Sequence, residues 1–313
     1  MTNLEKVSVV IPAYNIETYL ESALKSLISQ TFEHFEVIIV DDGSTDKTHD
    51  IAKQFCYRDN RFKVVCKPNG GLSSARNYGI RHANSEYIAL LDADDIYRPR
   101  KIETHVAILE QHASVGVVYS ASQAIRDDGK SIFISLSGKP VDRNPLKALL
   151  FKNFIGHGSN AIFRRSIFYE VGEFDETLRS SEDIDFWLRI AGTQNWTFYR
   201  VPEKLSCYRV RPSGLSFNIE GMQTSHEAVL QAAYQRFPQE VKPILPTAYA
   251  YLYRYLARLC MSMGDGAQAK KFIILALKQD ASIFYRDPRS FLTILSVALN
   301  PIASLAIKKV LGT

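Results

Sequence analysis

The amino-acid sequence predicts an α/β protein with a doubly wound, mostly parallel sheet and a helical C-terminal extension. Short apolar runs alternate with amphipathic helical patterns over residues 7 to 120, and this alternation is typical of such a sheet. From about Ser225 onward the pattern is helical. We therefore expect a first domain of residues 1 to 220, whose two halves meet near residue 120, and a helical region of residues 221 to 313.

Five runs in the first 120 residues are too continuously apolar for half-exposed strands, so we expect buried, mostly parallel strands. They are VSVVIP (7 to 12), FEVIIV (35 to 40), FKVVC (62 to 66), YIALL (87 to 91) and VGVVYS (115 to 120). Helical patterns separate them, at residues 18 to 29, 46 to 55, 73 to 82 and 101 to 110. In a sheet of this kind the ligand lies beyond the carboxyl ends of the strands. The loops at those ends are therefore the first candidates for a binding site.

The region after residue 120 predicts a less regular mixture of strands and helices. ASQAIRDDGKSIFISL is typical of a β-hairpin with its turn at Asp128 and Gly129. Residues 156 to 176 predict a strand, a short helix and a loop. WTFYRV (196 to 201) and LSCYRV (205 to 210) predict two strands that close this part of the chain.

Two helical segments of the second half are well marked. SSEDIDFWLRIA (180 to 191) predicts a helix with Ser180 or Ser181 as its cap and Trp187 on its apolar side. Further on, YLYRYLARL and AKKFIILALK predict a helical hairpin joined at GDG (264 to 266).

Composition and charge limit the classes of function. The net charge is +5, and residues 221 to 313 hold 11 Lys and Arg against 5 Asp and Glu. The first domain lacks the Lys and Arg interleaved with exposed aromatic residues that nucleic-acid binding requires, so we expect no nucleic-acid partner. The N-terminal sequence MTNLEKVSVV carries no secretion signal, and we expect a cytoplasmic protein.

The four cysteines are scattered along the chain without a C-x-x-C pair: Cys56, Cys66, Cys207 and Cys260. Cys66 and Cys260 lie in apolar runs. We expect reduced structural thiols rather than disulfides or metal ligands.

A cluster of carboxylates follows the fourth predicted strand. The stretch YIALLDADD ends a buried run with Asp92, Asp94 and Asp95. Like charges this close raise one another's ionisation cost unless a cation lies among them. Oxygen ligands suit Mg²⁺ or Mn²⁺, and an EF-hand is excluded because Ile96 occupies the third alternate position. These residues therefore predict a site for a divalent metal.

Several motifs together resemble one protein family. The segments VSVVIPAYN, SLISQTFEHFEVIIVDDGSTD, GGLSSARNYGI, YIALLDADD and SSEDIDFWLR resemble the family 2 glycosyltransferases in order and spacing, over residues 5 to 215. The resemblance implies the Rossmann-like GT-A fold and an inverting, metal-dependent glycosyltransferase of the hexosyltransferase type. The implied donor is a nucleoside diphosphate sugar, with UDP or dTDP expected. The implied acceptor is the hydroxyl of a saccharide or lipid-linked saccharide, in the synthesis of cell-surface polysaccharide or glycoconjugate.

The resemblance implies nucleotide contacts for residues of the first two loops. It places Pro12, Ala13 and Tyr14 along the nucleotide base, with Glu17 nearby and Asp42 against the base. Tyr14 offers a flat ring and a hydroxyl for this purpose. A plain strand-to-helix turn remains an alternative for Tyr14 and Glu17, and a helix cap for Asp42.

The third and fourth loops supply the implied phosphate and metal contacts. Gly71 permits backbone conformations that a side chain would block, and the resemblance turns Arg76 toward the nucleotide, with a surface position as the alternative. It places Asp92 at the ribose or sugar and the metal ion on Asp94. Asp95 has the start of the next helix as its alternative role.

The last two motifs concern catalysis and metal affinity. Glu182 and Asp183 resemble the family's acidic pair, with Asp183 as the catalytic base and Glu182 on the acceptor side; alternatively both favour a helix N-terminus through the macrodipole. Many relatives carry Tyr-Arg-x-His after the last strand, whereas this chain has YRVRPSGLS with Arg211 at the histidine position. Arginine pairs with phosphate but does not bind a metal. We expect Arg211 to contact the diphosphate and metal dependence to be weaker than usual.

Two other functions are compatible with parts of the sequence. A sugar nucleotidyltransferase shares the sheet and the carboxylates, but PAYN (12 to 15) lacks the glycine-rich basic loop it requires, and it also lacks the G-x-G-x-x-G of NAD or FAD sites. A catalytically degenerate family member that binds nucleotide or saccharide is the other alternative. Intact Asp42, Asp94 and Asp183 argue against it, while Arg211 argues for it.

The C-terminal segment FLTILSVALNPIASLAIKKVL (291 to 311) has two interpretations. Asn300 and Pro301 interrupt it, and it barely reaches the roughly 20 residues of a membrane-spanning helix. Its basic flanks suit a segment lying on the anionic inner face of a membrane. A helix pair packed on the rest of the protein is the other interpretation.

Overall fold

The structure is a computed structural model that describes residues 5–135, 144–211, 214 and 217–299. The end of the predicted C-terminal segment, including Asn300 and Pro301, lies outside the described residues. The chain divides into two compact units. The first is Met1–Ala148 with Asn153–Arg211, and the second is Leu149–Lys152 with Pro212–Thr313.

The first half of the first unit is the predicted alternation of strands and helices. The strand at residues 62 to 66 was expected to be buried, but it lies at the edge of the sheet and is mostly only partly buried. The strands are β1 (Val7–Ala13), β2 (Phe35–Asp41), β3 (Phe62–Cys66) and β4 (Tyr87–Leu90), and the helices between them are α1 (Glu17–Ile28), α2 (Thr48–Arg58) and α3 (Leu72–Arg81). The strands pair in parallel in the order β3-β2-β1-β4. Ala13 lies opposite Asp41, and Asp41 lies opposite Cys66. The carboxyl ends of three strands therefore meet at one edge of the sheet.

The second half of the first unit extends the same sheet. Its elements are β5 (Ile96–Tyr97), α4 (Lys101–Gln111), β6 (Val115–Ile125), β7 (Ser131–Ser135), the first residues of α5 (Pro145–Phe151), β8 (Ala161–Arg164), α6 (Arg165–Val171), α7 (Glu182–Thr193) and β9 (Thr197–Arg209). From Leu149 onward α5 belongs to the second unit. Strand β8 pairs antiparallel with β4 and β6, and β6 pairs in parallel with β9. The α/β sheet and the hairpin of β6 and β7 are confirmed.

The two closing strands predicted at residues 196 to 201 and 205 to 210 form one strand, β9. The prediction was wrong because Pro202 and the charged residues after it are typical of a break. In the structure the pairing of β6 with β9 shifts register between Ser120, opposite Val201, and Ala121, opposite Lys204. Such an irregularity accommodates a proline that has no amide hydrogen for the ladder. The short strand β5, which pairs antiparallel with β9, was not predicted.

Helix α7 is anchored by Trp187 as expected. The indole is fully buried and packs against Phe163 and Phe186, with ring centroids 5.8 and 5.2 Å away. Ser181 is the N-cap residue, but it adopts a left-handed conformation with φ 59° and its side chain makes no capping hydrogen bond. Ser181 therefore holds the cap position but does not cap the helix through its side chain.

The second unit is helical, as the sequence predicts. Its helices are α8 (Ile219–Arg236), α9 (Pro238–Val241), α10 (Leu245–Ser262), α11 (Gly266–Asp280), α12 (Ile283–Arg286) and α13 (Pro288–Ala298). The predicted hairpin turn lies between α10 and α11, where Gly264 has φ 82° and the Asp265 carboxylate accepts a hydrogen bond from the Gln268 amide. Within the described residues no helix combines the length and apolar character needed to cross a membrane.

All four cysteines are free thiols. Cys207 and Cys260 are buried, as expected of structural thiols, and Cys56 is partly buried. Cys66 is exposed at the end of β3, so its expected burial in an apolar run is wrong. The last residue of a strand can be exposed even when the apolar run that contains it suggests that it is buried.

Candidate active site

Polar residues that the sequence places far apart meet at the carboxyl ends of β2 and β4. Asp42 directly follows β2, and its amide donates to the Ala13 carbonyl of β1 at 2.9 Å. Asp92 and Asp94 follow β4 closely, while Glu182 and Asp183 begin α7. The parallel pairing of the first strands brings these loops to the same edge of the sheet.

Asp42 organises the loop between β3 and α3. Its buried carboxylate accepts hydrogen bonds from the Lys67 ammonium at 2.6 Å and from the amides of Gly70 and Gly71 at 3.1 and 2.8 Å. Gly71 has φ 89°, a conformation that favours glycine. Asp42 therefore fixes the loop in which sequence analysis placed Gly71. Its contact with the base stays a prediction.

The first loop offers one exposed aromatic ring. Pro12 and Ala13 are buried within β1, and Tyr14 follows them with 51% of its surface exposed. Glu17 is exposed, and its carboxylate accepts a hydrogen bond from the Lys47 amide at 2.8 Å. Glu17 thus ties the start of α1 to the β2–α2 loop, and Tyr14 remains the side chain of this group best placed to meet a ligand.

Arg76 is buried between two carboxylates. Its guanidinium donates to Asp92 at 2.7 Å and to Glu182 at 2.5 Å, with 1% of the residue exposed. Burial alone would lower the pKa of Arg76, but Asp92 and Glu182 outweigh burial and raise it, so the group stays charged. A Cβ atom added to Gly158 would lie 2.4 Å from Nη2, so a larger residue there would displace the guanidinium. Arg76 is therefore no surface residue: it joins α3, the loop after β4 and α7.

Asp94, the predicted metal ligand, is paired with Arg211. The Arg211 Nη2 atom lies 2.6 Å from Asp94 Oδ2, and the guanidinium lies over the Tyr19 ring at 5.1 Å. Burial, together with the charges of Asp95 and Asp92, raises the pKa of Asp94 to about 7. A carboxylate disfavoured in this way gains from an added cation. Its hard oxygens fit a divalent metal. The Arg211 guanidinium already contacts one of these oxygens, Oδ2.

Asp95 anchors the loop from inside the first unit. It is 1% exposed and accepts hydrogen bonds from the Ser159 hydroxyl at 2.6 Å and the Arg209 amide at 2.9 Å. The His157 Nδ1 atom lies 3.3 Å away. The alternative role of Asp95 at a helix start is therefore wrong, because α4 begins only at Lys101. These partners are distant in sequence, and no local signal predicts them.

The two adjacent acids of α7 have different surroundings. The carboxylate of Glu182 is held by the Arg76 guanidinium. The Asp183 carboxylate accepts one hydrogen bond from the Asn153 side-chain amide at 3.2 Å and another from the Ile184 amide at 2.8 Å. Burial and the charge of Glu182 raise the pKa of Asp183 to about 7. Asp183 is therefore the acid of the pair whose charge is less compensated. Sequence analysis missed Asn153, as it missed Lys67.

A family model described as Glycosyl transferase family 2 matches residues 8–172. An uncharacterized glycosyltransferase of Rickettsia prowazekii is 31% identical over 228 residues, which are 72% of this chain and 67% of that protein. A Haemophilus influenzae relative is 32% identical over 72% of this chain and 69% of its own length. This chain spans only 27% to 58% of the length of four other Rickettsia relatives.

Solved structures share the fold. A mannosyltransferase from Pyrobaculum calidifontis in complex with GDP-Man and Mn²⁺ has a TM-score of 0.60 at 20% identity, covering 98% of this chain and 87% of its own. S. aureus TarS in complex with UDP-GlcNAc has a TM-score of 0.56 at 22% identity, covering 90% of this chain and 92% of its own. The predicted GT-A fold is confirmed.

We predict that Arg76→Met lowers the free energy of unfolding by about 3–5 kcal/mol, because the buried carboxylate of Glu182 and the partly buried carboxylate of Asp92 lose their shared cation. Urea denaturation of the full-length protein measures the loss. Arg100→Met, in which an exposed arginine is replaced, should change stability by less than about 0.5 kcal/mol.

The double variant Arg76→Met with Glu182→Gln tests whether the loss of stability comes from the Arg76–Glu182 ion pair or from a general disturbance of packing. Removing the charge of Glu182 should restore part of the lost stability, because one unpaired buried carboxylate is then absent. Equal losses in the single and double variants would show that the Arg76–Glu182 contact does not carry the effect.

Proposed function

This chain belongs to glycosyl transferase family 2, and we propose that it is an inverting glycosyltransferase that moves a sugar from a nucleoside diphosphate donor to an acceptor hydroxyl. The proposed donor is a hexose linked to UDP or dTDP. The proposed acceptor is a saccharide or lipid-linked saccharide in cell-surface polysaccharide or glycoconjugate synthesis. Solved relatives of the same fold in complex with UDP-GlcNAc and GDP-Man support a nucleotide-sugar donor.

The observation that carries the mechanism is the difference between Glu182 and Asp183. A general base must be ionised to accept a proton, and it works best when its pKa lies near the working pH. Arg76 compensates Glu182, whereas Asp183 has a pKa raised to about 7 by burial and by Glu182. We therefore assign the acceptor proton to the Asp183 carboxylate. Glu182 lies on the proposed acceptor side, where its ion pair with Arg76 fixes the start of α7.

The donor is proposed to lie across the loops after β1, β2 and β4. Tyr14 supplies an exposed ring for the base. Asp42, which orders the loop of Gly70 and Gly71, donates its amide hydrogen to the carbonyl of Ala13, the residue before Tyr14. Asp92 faces the ribose or sugar. Because Arg76 is buried between carboxylates, its proposed effect on the nucleotide is exerted through Asp92.

Asp94 would hold a Mg²⁺ or Mn²⁺ ion, with donor phosphate oxygens and water as the remaining ligands. The ion would supply electrostatic compensation for charge on the leaving diphosphate. Arg211 is proposed to contact that diphosphate from its position beside the Asp94 carboxylate. The protein thus carries an alternative cation at the proposed metal ligand.

We predict that Asp183→Asn lowers the rate of glycosyl transfer by about a hundredfold or more, because the amide cannot accept the acceptor proton. Donor binding should hardly change. The test measures acceptor glycosylation and UDP-sugar affinity for the same variant. Asp50→Asn, which replaces an exposed acid in the first turn of α2, is the matched control and should keep wild-type activity.

The pH profile supplies a second readout. At saturating substrates the wild-type rate should rise with pH through about 7 and level off above it, because Asp183 must be deprotonated to act. The residual rate of Asp183→Asn should lack this rise. Near-normal transfer by the variant, or loss of donor binding in proportion to activity, would contradict the assignment. Normal donor binding with no transfer by the wild type would instead favour a degenerate family member.

The pairing of Arg211 with Asp94 predicts opposite effects on two ligands. Arg211→Ala should raise the affinity for Mn²⁺ in the absence of donor, since the competing guanidinium is removed. It should lower the affinity for UDP in the absence of metal, since a phosphate partner is lost. Calorimetric titration measures both. Asp94→Ala should abolish the metal dependence of donor binding, and Arg100→Ala is the exposed control. Unchanged UDP affinity in Arg211→Ala would contradict the phosphate contact.

We also propose that the second unit contacts an anionic membrane surface. Helix α13 exposes Phe291, Leu292 and Leu295, and Leu299, the residue after its end, is also exposed; the exposed fractions are 54%, 58%, 41% and 52%. The exposed cations Arg286 and Arg289 lie immediately before these residues in the chain. An apolar helix face beside basic residues is typical of a helix that lies in the membrane interface.

The triple variant Leu292→Ser, Leu295→Ser, Leu299→Ser should reduce co-sedimentation with anionic phospholipid vesicles, because the apolar face is lost while the buried side of α13 remains. The control replaces exposed apolar residues of the first unit, Ile28→Ser, Tyr57→Ser and Tyr169→Ser. Equal sedimentation of both variants and wild type would refute the membrane contact and favour helix packing.

A further inference from the structure

Three potential metal ligands converge beside the proposed donor site. The Asp41 Oδ2 atom lies 2.9 Å from His49 Nδ1, and the Cys66 Sγ atom lies 3.6 Å from the same nitrogen. One ligand atom from each residue lies within 4.8 Å of the other two. The proposed transfer mechanism uses none of these three side chains.

Regular elements hold all three residues. Asp41 ends β2 and Cys66 ends β3, and the two are directly opposite in the parallel pairing of these strands. His49 lies in the first turn of α2. The other Asp41 oxygen, Oδ1, accepts a hydrogen bond from the Ser44 amide at 2.9 Å, which orients the carboxylate. Ligands placed on strands and helices, with such a supporting hydrogen bond, hold their geometry well.

The arrangement differs from a Cys-His-Asp proton relay. In a relay the acid holds one ring nitrogen and the nucleophile faces the other. Here the Asp41 carboxylate and the Cys66 thiol both face Nδ1 of His49. A nucleophile activated through the ring is therefore not what this geometry provides. Convergence of oxygen, nitrogen and sulfur on one point is instead typical of a metal site.

We propose that Asp41, His49 and Cys66 bind a Zn²⁺ ion, with water in a fourth, open position. Zinc takes carboxylate oxygen, imidazole nitrogen and thiolate sulfur in tetrahedral geometry at about 2.0–2.3 Å. Ligand atoms bound at that range are separated by about 3–4 Å, and the observed separations of 2.9 and 3.6 Å from the histidine nitrogen lie close to this.

Solvent reaches the cluster from the side of Cys66. Asp41 is buried, His49 is partly exposed and Cys66 is exposed. The exposed side provides an entry path for the ion and room for the water ligand. On the opposite side the Asp41 carboxylate is buried, which leaves little room there for further ligands. This asymmetry favours three protein ligands and one water over a closed four-residue site.

The ligand chemistry separates this site from Asp94. A thiolate favours zinc over Mg²⁺ and Mn²⁺, whereas carboxylates and phosphate oxygens favour the latter. The zinc ion would join the ends of β2 and β3 to the start of α2, next to the Asp42–Lys67 contact. Its expected effect is to stabilise this edge of the sheet, since a ligand that binds the folded state raises the unfolding temperature.

The test titrates Co²⁺, a spectroscopic substitute for zinc, into the reduced, metal-free, full-length protein. We expect one equivalent to produce the thiolate-to-cobalt absorption of a sulfur ligand and the visible bands of tetrahedral cobalt. Zn²⁺ should displace the cobalt and raise the melting temperature. Mg²⁺ and Mn²⁺ at equal concentration should not displace the cobalt. Absence of the sulfur absorption in the wild type would overturn the proposal.

Variants locate the ion. Cys66→Ala should abolish the sulfur absorption, and His49→Ala should weaken Co²⁺ binding by at least about tenfold. Cys56→Ala, in the same helix as His49, should bind as the wild type does. Asp94→Ala should also bind normally, which distinguishes this ion from the proposed donor-site metal. Sulfur absorption that persists in Cys66→Ala, or disappears in Cys56→Ala, would refute the assignment.

Discussion

The buried guanidinium of Arg76 is the interaction on which the proposed site depends. It comes from α3 and pairs with Asp92 after β4 and with Glu182 at the start of α7. The loop of the carboxylate cluster and the helix that carries Asp183 are thus fixed by one cation. Charges removed from water are tolerated only when they are paired. The position of the proposed base therefore follows from an ion pair that spans more than a hundred residues.

Local patterns predicted most elements and the β6–β7 hairpin, but they missed the extent of β9. Runs such as VSVVIP and FEVIIV identified strands because burial on both faces leaves a continuous apolar signal. Strand β9 was predicted as two strands because Pro202 breaks that signal. The register shift that accommodates the proline depends on β6, which is distant in the chain. A one-dimensional pattern contains no information about such a partner.

The site residues also show this contrast between what the local sequence predicts and what depends on distant partners. Resemblance selected Asp42, Asp94 and Asp183 by their motifs, but it gave no reason why adjacent acids should differ. The structure supplies that reason for Glu182 and Asp183, since one faces Arg76 and the other is held by amides. It also pairs Arg211 with Asp94, so the residue at the histidine position of the family motif contacts the proposed metal ligand. The proposed metal ion and Arg211 would thus share one carboxylate.

Cys66 shows why a ligand set can escape sequence analysis. Its spacing from Asp41 and His49 matches no regular ligand motif, and the group forms only because β2 and β3 pair with Asp41 opposite Cys66. The resulting edge of the sheet carries two proposed cation sites of different chemistry. At Asp94 the ion would depend on donor phosphates for its remaining ligands, whereas Asp41, His49 and Cys66 supply three ligands without the donor. Zinc binding should therefore be independent of the donor, while Mg²⁺ or Mn²⁺ binding should increase with it.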